Sequence, residues 1–284
     1  QFVRRAQWVQ IRDNPPTSDA ERARIGDPAQ YQRLQQELWD AYSESDRWRL
    51  VPGAQREAMA RQFRGFLETI RDPVLREKLT PKYPLGCTRI PKSDAYYEAV
   101  QRPNVHIETT RIERIVPEGV KLVDGRVLPF DVLVYATGFD SHAYMRPMKV
   151  VAPGGMTVDT LWKDGVFSYK GFALPGFPNF FLLYGPFSPV NNIAVPLALE
   201  QQIAYLFRML AMARDRQAAV MPTTAATERF LARMRAALPG TVWVGCPNWY
   251  SDHTGTPILW PLPQDDHTEM MREVALEDLE FVPV

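Results

Sequence analysis

The sequence predicts an α/β fold, and three observations carry that prediction. Apolar residues recur at helical spacing in three stretches, at 29–48, 54–70 and 196–215. Strand-like segments follow one another between 105 and 138. One of them, "DVLVYA", is a continuous apolar run, which is typical of a strand covered on both faces in a parallel sheet.

The N-terminal part of the chain predicts a loop followed by two helices. Residues 13–30 are rich in Pro, Asp and Arg and are expected to form the loop. The first helix is indicated by Tyr31, Leu34, Leu38 and Tyr42 on one side. The stretch 54–70 carries the apolar stripe of the second helix, made of Met59, Phe63, Phe66, Leu67 and Ile70.

The remainder of the chain predicts strands, a hairpin and two further helices. Asp124-Gly125 is a two-residue hairpin signal that joins "VKLV" to "RVLPF". "GFPNFFLLYGPFSP" predicts a second buried strand that runs into a Gly-Pro loop. A helix follows at 196–215, and another covers roughly 225–238, where Pro239-Gly240 stops it.

Composition excludes several classes of function. Lys+Arg and Asp+Glu number 33 each, so the chain has no general attraction to nucleic acid or anionic membranes. The longest apolar run, around "NFFLLYGPF", is too short to span a bilayer. Cys87 and Cys246 form no CxxC pattern, which disfavours a disulfide framework or a zinc site and fits a reducing cytoplasm. The four histidines have no metal-ligand spacing, so no metal site is predicted.

Two predicted strands end in glycine-containing loops, and the second loop leads into a helix. In α/β proteins ligands bind at the carboxyl ends of such strands. Glycine lets the backbone approach a flat or phosphorylated ligand, and a helix N-terminus favours anionic groups. The alternative is that these glycines serve only tight packing.

Five segments resemble, in the same order, the class B flavoprotein monooxygenases, and in particular the Baeyer–Villiger type. The segments are "VRRAQWV", "YPLGCTRIPKSDAYY", "DVLVYATGFD", "GFPNFFLLYGPFSP" and "NWYSDHTGTPILWP". The resemblance covers nearly the whole chain. It implies the C-terminal half of a Rossmann-like flavoprotein with two dinucleotide-binding domains, for FAD and NADPH, and a helical insertion.

The Gly-x-Gly-x-x-Gly fingerprints of that family are absent, since no Gly-x-Gly occurs anywhere. We therefore expect either a fragment or one subunit of a split enzyme, whose N-terminal half or partner chain carries those motifs. Residues 1–83 are expected to be the remainder of the NADPH domain with the helical insertion. Residues 84–284 are expected to hold the rest of that domain and the C-terminal part of the FAD domain.

The resemblance implies an NADPH- and O2-dependent monooxygenase that inserts oxygen next to a ketone carbonyl through a flavin C4a-peroxide. Arg89 matches the family's active-site arginine and would supply a permanent positive charge beside the reacting oxygen. The alternative is a surface or salt-bridged arginine. Thr88 stands where some relatives carry a lysine that helps to hold the NADPH phosphate.

The same comparison implies cofactor contacts. Arg4 and Arg5 follow a strand, where an arginine can meet the 2′-phosphate of NADPH; a solvated basic pair is the alternative. Thr137, Gly138 and Asp140 end the segment at 131–140 and would lie against a cofactor. For Asp140 an Asx-type turn without ligand contact is the alternative.

The second loop would line the flavin and the substrate cavity. Gly185, Pro186, Ser188 and Pro189 are expected to approach the isoalloxazine ring, with backbone donors facing it. Substrate contacts are expected from Val190, Asn191, Asn192 and Trp249. The alternatives are that this loop is only a Pro-rich connector and that Trp249 is an aromatic residue of the core.

Two rival functions remain open from the sequence. A flavin-containing monooxygenase that oxygenates nitrogen or sulfur does not need Arg89. A non-catalytic half would bind another polypeptide and complete its sheet across that interface.

Overall fold

In this computed structural model, the structure describes residues 1–12, 15–49, 51–189, 194–246 and 248–283, with the side chains of 42–49 left aside. The chain forms two compact units. The first unit comprises residues 1–17, 54–85 and 89–140, and the second comprises 18–53, 86–88 and 141–284. Residues 89–140 thus group with the N-terminal segment.

The first unit contains an apolar cluster packed by helices, and a small sheet. Its helices are α3 (Ala54–Leu67), α4 (Pro73–Leu79) and α5 (Tyr96–Ala99). Two isolated parallel bridges tie the N-terminal segment to this unit, from Phe2 to Glu108 and from Gln10 to Lys92. The buried cluster contains Trp8, Val9, Phe63, Leu67, Ile70, Leu79, Leu85, Tyr97, Val100 and Ile107.

The sheet of the first unit is antiparallel and contains the predicted hairpin. Its strands, in spatial order, are β1 (Ile112–Val116), β2 (Gly119–Leu122) and β3 (Val127–Leu128). The turn closes with Leu122 N donating to the Arg126 carbonyl at 2.8 Å. Gly125 has a φ of +91°, which favours glycine. The predicted hairpin is confirmed, but its loop has three residues, 123–125, between Leu122 and Arg126, where the Asp124-Gly125 signal predicted two.

The segment 131–140 differs from its prediction. It contains no strand, and its apolar side chains face solvent: Val132 is 76% exposed, Val134 82% and Phe139 100%. The predicted strand buried on both faces is therefore wrong for this chain. The described residues supply neither a neighbouring strand nor a covering layer for this segment.

The second unit is built from helices and one strand pair. β4 (Ala218–Pro222) pairs antiparallel with β5 (Leu279–Pro283). A large apolar cluster fills this unit, with Phe172, Tyr205, Met209, Met234 and Trp260 among its most buried members. The helices are α1 (Asp19–Gly26), α2 (Pro28–Arg49), α6 (Val158–Leu161), α7 (Val195–Asp215), α8 (Thr224–Ala237) and α9 (Gln264–Met270).

Most predicted helices are confirmed. The periodic stretches correspond to α2, α3 and α7, and α8 ends in a 3-10 turn at Leu238–Gly240, where Pro239-Gly240 stops it. Proline lacks the amide hydrogen that would continue the helix, and glycine weakens it further.

The predicted loop at 13–30 is wrong from Asp19 onward, because α1 begins there. Ser18 caps this helix: its hydroxyl accepts from Glu21 N at 3.2 Å, while the Glu21 carboxylate accepts from Ser18 N at 2.9 Å. The Ser-x-x-Glu spacing is a helix-start signal that the composition of the stretch concealed.

The predicted buried strand at 179–187 is also absent. This stretch is a series of turns with one isolated bridge, between Ala173 and Phe181. Burial is as predicted only in the loop at 185–189, since within 179–184 Leu182 alone is buried and Leu183 is 44% exposed. Apolar content thus indicated neither the backbone conformation nor the full burial of this segment.

The two cysteines are linked. Cys87 and Cys246, 159 residues apart in sequence, form a disulfide within the second unit. The prediction, based on spacing, that no disulfide forms is therefore wrong, because residues far apart in sequence can be neighbours in the fold. The bond fixes the segment that immediately precedes Arg89.

This bond predicts the outcome of thiol labelling. We expect iodoacetamide to modify neither cysteine when the chain is unfolded without reductant, and to modify both Cys87 and Cys246 after reduction, as read by mass spectrometry. A disulfide sulfur is not nucleophilic, whereas a thiolate is. Two labelled residues before reduction would show that the thiols are free.

Candidate functional site

The loop at 184–189 in the second unit is held in an uncommon backbone conformation. Tyr184 and Phe187 have φ angles of +61° and +66°, which non-glycine residues rarely adopt. Such conformations persist where surrounding contacts over-determine them, and they cluster at functional sites.

Hydrogen bonds within the unit fix this loop. Gly185 N donates to the Gly171 carbonyl at 2.7 Å, and Phe187 N donates to the Ile258 carbonyl at 2.6 Å. Ser188 N donates to the Gly185 carbonyl at 3.1 Å. Gly185, Phe187 and Ser188 therefore use their N–H groups internally, unlike the expectation that they face a ligand.

A buried amide from α7 joins this loop to Gly171. The Gln202 Oε1 atom accepts from Tyr184 N at 2.8 Å, and Nε2 donates to Ser188 Oγ at 2.9 Å. Ser188 Oγ in turn donates to the Gly171 carbonyl at 3.1 Å. Gln202 is fully buried, so each of these polar groups depends on its partner.

Two further hydroxyl groups donate hydrogen bonds to backbone carbonyls of this loop. Ser168 Oγ donates to the Pro186 carbonyl at 2.6 Å, and Tyr184 Oη donates to the Pro189 carbonyl at 2.9 Å. Pro189 is the last residue described before the gap, and Val190, Asn191 and Asn192 lie outside the described residues. The structure thus describes a rigid platform leading to the predicted substrate residues.

Trp249, another predicted substrate residue, belongs to the same unit. Its indole is 48% exposed and lies against the buried Tyr250 ring, with centroids 4.3 Å apart. Ser141 Oγ donates to the Trp249 carbonyl at 3.3 Å. The Asn248 side chain donates to the Cys87 carbonyl at 2.7 Å, which ties this loop to the disulfide. A fixed aromatic face is therefore available to a ligand.

The predicted NADPH arginines lie in the first unit. Arg4 is exposed, and the Arg5 guanidinium lies over the Tyr83 ring, 5.7 Å from its centroid. Tyr83 is anchored on both sides: its hydroxyl is 2.8 Å from the Ala6 carbonyl, and its carbonyl accepts from Trp8 Nε1 at 2.9 Å.

Arg89 belongs to the same unit as these arginines. It is exposed, and within the described part of the chain its side chain has no salt bridge or hydrogen bond. The backbone just beyond it is anchored, because Gln10 N donates to the Pro91 carbonyl at 2.9 Å and Ser93 N donates to the Gln10 carbonyl at 3.0 Å. Among the described residues, the positive charge of the Arg89 guanidinium is thus paired with no acidic group. The backbone that follows it is held by hydrogen bonds.

Thr137, Gly138 and Asp140 are also exposed in the first unit. Gly138 has a φ of +90°, and a Cβ built there would meet no atom within 4 Å. The backbone can therefore be approached closely at this glycine. Gly185, Pro186, Ser188, Pro189 and Trp249 belong to the second unit.

Comparison with known proteins identifies the family. No family model matches the chain. It is 37% identical over 286 residues to an uncharacterized monooxygenase of Mycobacterium tuberculosis, covering 99% of this chain and 57% of that protein. It is 33% identical over 221 residues to a Baeyer–Villiger monooxygenase of Streptomyces coelicolor, covering 75% of this chain and 42% of that one. The chain belongs to the class B flavoprotein monooxygenases of the Baeyer–Villiger type.

Solved structures agree on the fold. Cyclohexanone monooxygenase from Rhodococcus sp. Phi1, bound to NADP+, superposes with a TM-score of 0.86 at 22% identity, over 100% of this chain and 62% of that one. An oxidized steroid monooxygenase bound to NADP gives 0.82 at 24% identity. This Baeyer–Villiger-type chain thus has the α/β fold of the C-terminal part of such enzymes. It spans 57% of the Mycobacterium tuberculosis relative and 42% of the Streptomyces coelicolor relative.

Among the described residues of this monooxygenase-family chain, two kinds of feature are absent: a metal site and a membrane-spanning helix. They contain no group of three His, Cys, Asp or Glu side chains arranged to hold a metal ion. Each of their helices is too short or too polar to cross a lipid bilayer.

The burial of a single lysine, Lys170, beside tyrosine side chains was not predicted from this Baeyer–Villiger-type sequence. The Lys170 Nζ atom donates to Tyr205 Oη at 3.0 Å and lies 4.5 Å from the Tyr205 ring centroid. The neighbouring Tyr169 hydroxyl donates to Asp278 Oδ2 at 2.7 Å. Burial lowers the pKa of Lys170 to about 8 and raises that of Tyr205 to about 12. Nothing in "SYKGF" distinguishes this lysine from an exposed one.

Lys170 predicts a rise in stability at alkaline pH. Its pKa is 10.5 when unfolded and about 8 when folded, so the unfolded chain binds more protons between these values. The free energy of unfolding therefore increases with pH across this window, by about 3 kcal/mol in total. We expect urea denaturation to show this rise in the wild type relative to Lys170→Met.

Lys163→Met is the matched control, because the Lys163 side chain is 71% exposed. Its pH profile should follow the wild type. A wild-type profile parallel to that of Lys170→Met would show that Lys170 titrates normally.

Proposed function

We propose that this chain forms part of an NADPH- and O2-dependent flavoprotein monooxygenase that inserts one oxygen atom next to a ketone carbonyl, giving an ester or lactone. The observation that carries the proposal is the exposed, uncommitted Arg89 guanidinium on an anchored backbone. A planar, permanently charged donor stabilises the oxyanion that forms when a carbonyl carbon is attacked.

The residues of the chain fit FAD and NADPH. Arg4 and Arg5 would bind the 2′-phosphate of NADPH, as paired basic side chains do. Thr137, Gly138 and Asp140 would contact the flavin dinucleotide, where the open space at Gly138 admits close approach. Reduced flavin would supply the activated oxygen.

Residues of the second unit would also contact the flavin and the substrate. Gly185, Pro186, Ser188 and Pro189 would form a rigid wall beside the flavin ring; their shared hydrogen-bond network supports this role. The exposed Trp249 indole would line the substrate cavity together with Val190, Asn191 and Asn192.

The proposal includes a polypeptide that carries the Gly-x-Gly-x-x-Gly motifs, either as a further N-terminal half or as a partner chain. Its support is the exposed apolar segment at 131–140, which has the composition of a buried strand and no neighbouring strand among the described residues. Residues 1–83 would contribute to the NADPH domain, with the helical insertion, and 84–284 to both domains. Together they would form a Rossmann-like two-dinucleotide fold.

The cytoplasmic location expected from the sequence and the Cys87–Cys246 disulfide predict opposite states of the two thiols. The disulfide between Cys87 and Cys246 counts against a strongly reducing compartment. Thiol labelling of protein trapped with acid directly from cells would test this point, since a cytoplasmic protein should show both thiols reduced.

Oxygenation of two substrates tests the proposed reaction. The chain, assembled with an N-terminal half of the Streptomyces coelicolor relative, would receive NADPH, 18O2 and either a cyclic ketone or a thioether. We expect one labelled oxygen in a lactone, detected by mass spectrometry. Sulfoxide formation without lactone would favour a heteroatom monooxygenase instead. Failure to bind flavin in an assembly that forms would favour a non-catalytic half.

A further inference from the structure

A cleft in the first unit lies outside every residue assigned above to a cofactor or substrate. Helix α3 and the segment 80–85 enclose about 380 Å3, with Trp8 in its wall. Arg56, Ala60 and Arg64 line it from α3, and their four-residue spacing puts them on one face of the helix. Since Ala60 is small, it leaves space between the two arginines.

The lining of the cleft is strongly basic. Arg56, Arg64 and Lys82 bring three positive charges, against one negative charge from Glu57. Within the described residues, none of these three cations forms a salt bridge. Guanidinium groups in this arrangement favour a phosphate, which they bind through paired N–H donors.

Arg56 carries a buried donor. Among the described residues, its Nη1 atom has no hydrogen-bond partner. Burial also lowers the pKa of Arg56, because a charged group loses hydration there. A buried unpaired donor on a charged group is costly, and an anion in the cleft would remove that cost.

Aromatic side chains also line the cleft, and a hydrogen bond and a ring contact hold them in place. The indole N–H of Trp8 donates to the Tyr83 carbonyl at 2.9 Å, and the Phe63 ring packs edge-on to Trp8 at 6.4 Å. Tyr83 also lines the cleft. Flat aromatic surfaces beside a phosphate-binding group suit a ligand with a planar ring.

We propose that this cleft binds the nucleoside monophosphate group, with the phosphate on Arg56, Arg64 and Lys82 and the base against Trp8 and Tyr83. The group can come from a free nucleotide or from the adenylate part of a dinucleotide. Neither Arg4 nor Arg5 lines the cleft, although the Arg5 guanidinium lies over the ring of Tyr83, which does.

Isothermal titration calorimetry of the whole chain with AMP, adenosine and NADPH tests this site. We expect AMP to bind at least about tenfold more tightly than adenosine, because the phosphate interactions are charge-assisted. Arg56→Gln and Arg64→Gln should each weaken AMP binding by about tenfold or more. Displacement of AMP by NADPH would assign the site to the dinucleotide, and its absence to a free nucleotide.

Three variants make the test specific. Arg61→Gln removes an exposed arginine of α3 that does not line the cleft, and Arg4→Gln removes a proposed NADPH contact; both should leave AMP affinity within about twofold. Ala60→Phe keeps every charge but fills the space, so it should abolish binding. Circular dichroism confirms that each variant is folded.

Some outcomes would overturn the proposal. These are the absence of AMP binding to the wild type, binding that persists in Arg56→Gln and Ala60→Phe, or binding that depends on Arg4 instead. None of these measurements involves oxygenation, so failure here is separate from failure of the proposed reaction.

Discussion

Replacement of Arg89 by alanine is expected to abolish ester formation by the assembled enzyme while leaving this chain folded. The side chain is exposed and makes no salt bridge or hydrogen bond among the described residues, so its loss removes no contact that stabilises the fold. Loss of a charged donor to a developing oxyanion costs on the order of a hundredfold or more in kcat.

The control and the second substrate make this test specific. Arg111→Ala removes another exposed arginine of the first unit and should retain full activity. Arg89→Lys keeps the charge but not the planar fork, so it should retain partial activity. Thioether oxygenation should survive Arg89→Ala. Equal loss of both reactions would assign Arg89 to cofactor binding or assembly instead.

Replacement of Gly171 by alanine is expected to be among the most destabilising single changes in the second unit. Gly171 has a φ of +83°, and a Cβ there would lie 2.5 Å from Ser188 Oγ and 2.8 Å from Gln202 Nε2. The methyl group would strain the backbone and break the network that holds the loop at 184–189. The combined cost is about 3 kcal/mol or more, from left-handed backbone strain and overpacking.

Gly155→Ala separates these two contributions. Gly155 lies in the same unit with a φ of +81°, but a Cβ there meets no atom within 4 Å. It should lose only about 1 kcal/mol, since the backbone strain alone remains. Urea denaturation of both variants gives the difference. Equal losses would show that Ser188 and Gln202 shift without cost.

Local signals in the sequence were sufficient where short-range physics decides the structure. The Asp124-Gly125 hairpin was predicted because few residues accept its turn geometry. The apolar stripes of α3 and α7 were predicted because large side chains at helical spacing form one face of a helix and would not share a face in a strand. The Ser18 cap of α1 was equally local, and it was overlooked only because charged residues dominate that stretch.

Non-local pairing could not be predicted from the same signals. The segments at 131–136 and 179–187 are both rich in apolar residues, yet the first is largely exposed and the second forms turns that are buried mainly at 185–187. An apolar composition indicates that a segment is stable when buried. The residues that bury it belong to other elements of the fold. The Cys87–Cys246 pair illustrates the same limit, because its 159-residue separation carries no geometric information.

The candidate site also contains residues that local sequence patterns suggest and residues that only contacts across the fold reveal. Arg89 and the loop at 184–189 are proposed as site residues from short sequence patterns that resemble the family. The groups that hold this loop were missed, because Ser168, Gly171 and Gln202 are ordinary in their local sequence. Their roles follow from burial and from hydrogen bonds across the fold.

The solvent-facing valines and phenylalanine at 132–139 have a practical consequence for handling this polypeptide. An exposed, extended segment of this kind can pair, through its backbone amide groups and apolar side chains, with the same segment of another molecule. Purified alone, the chain will scatter light increasingly as it is concentrated, and charged substitutions such as Val134→Lys will keep it dispersed.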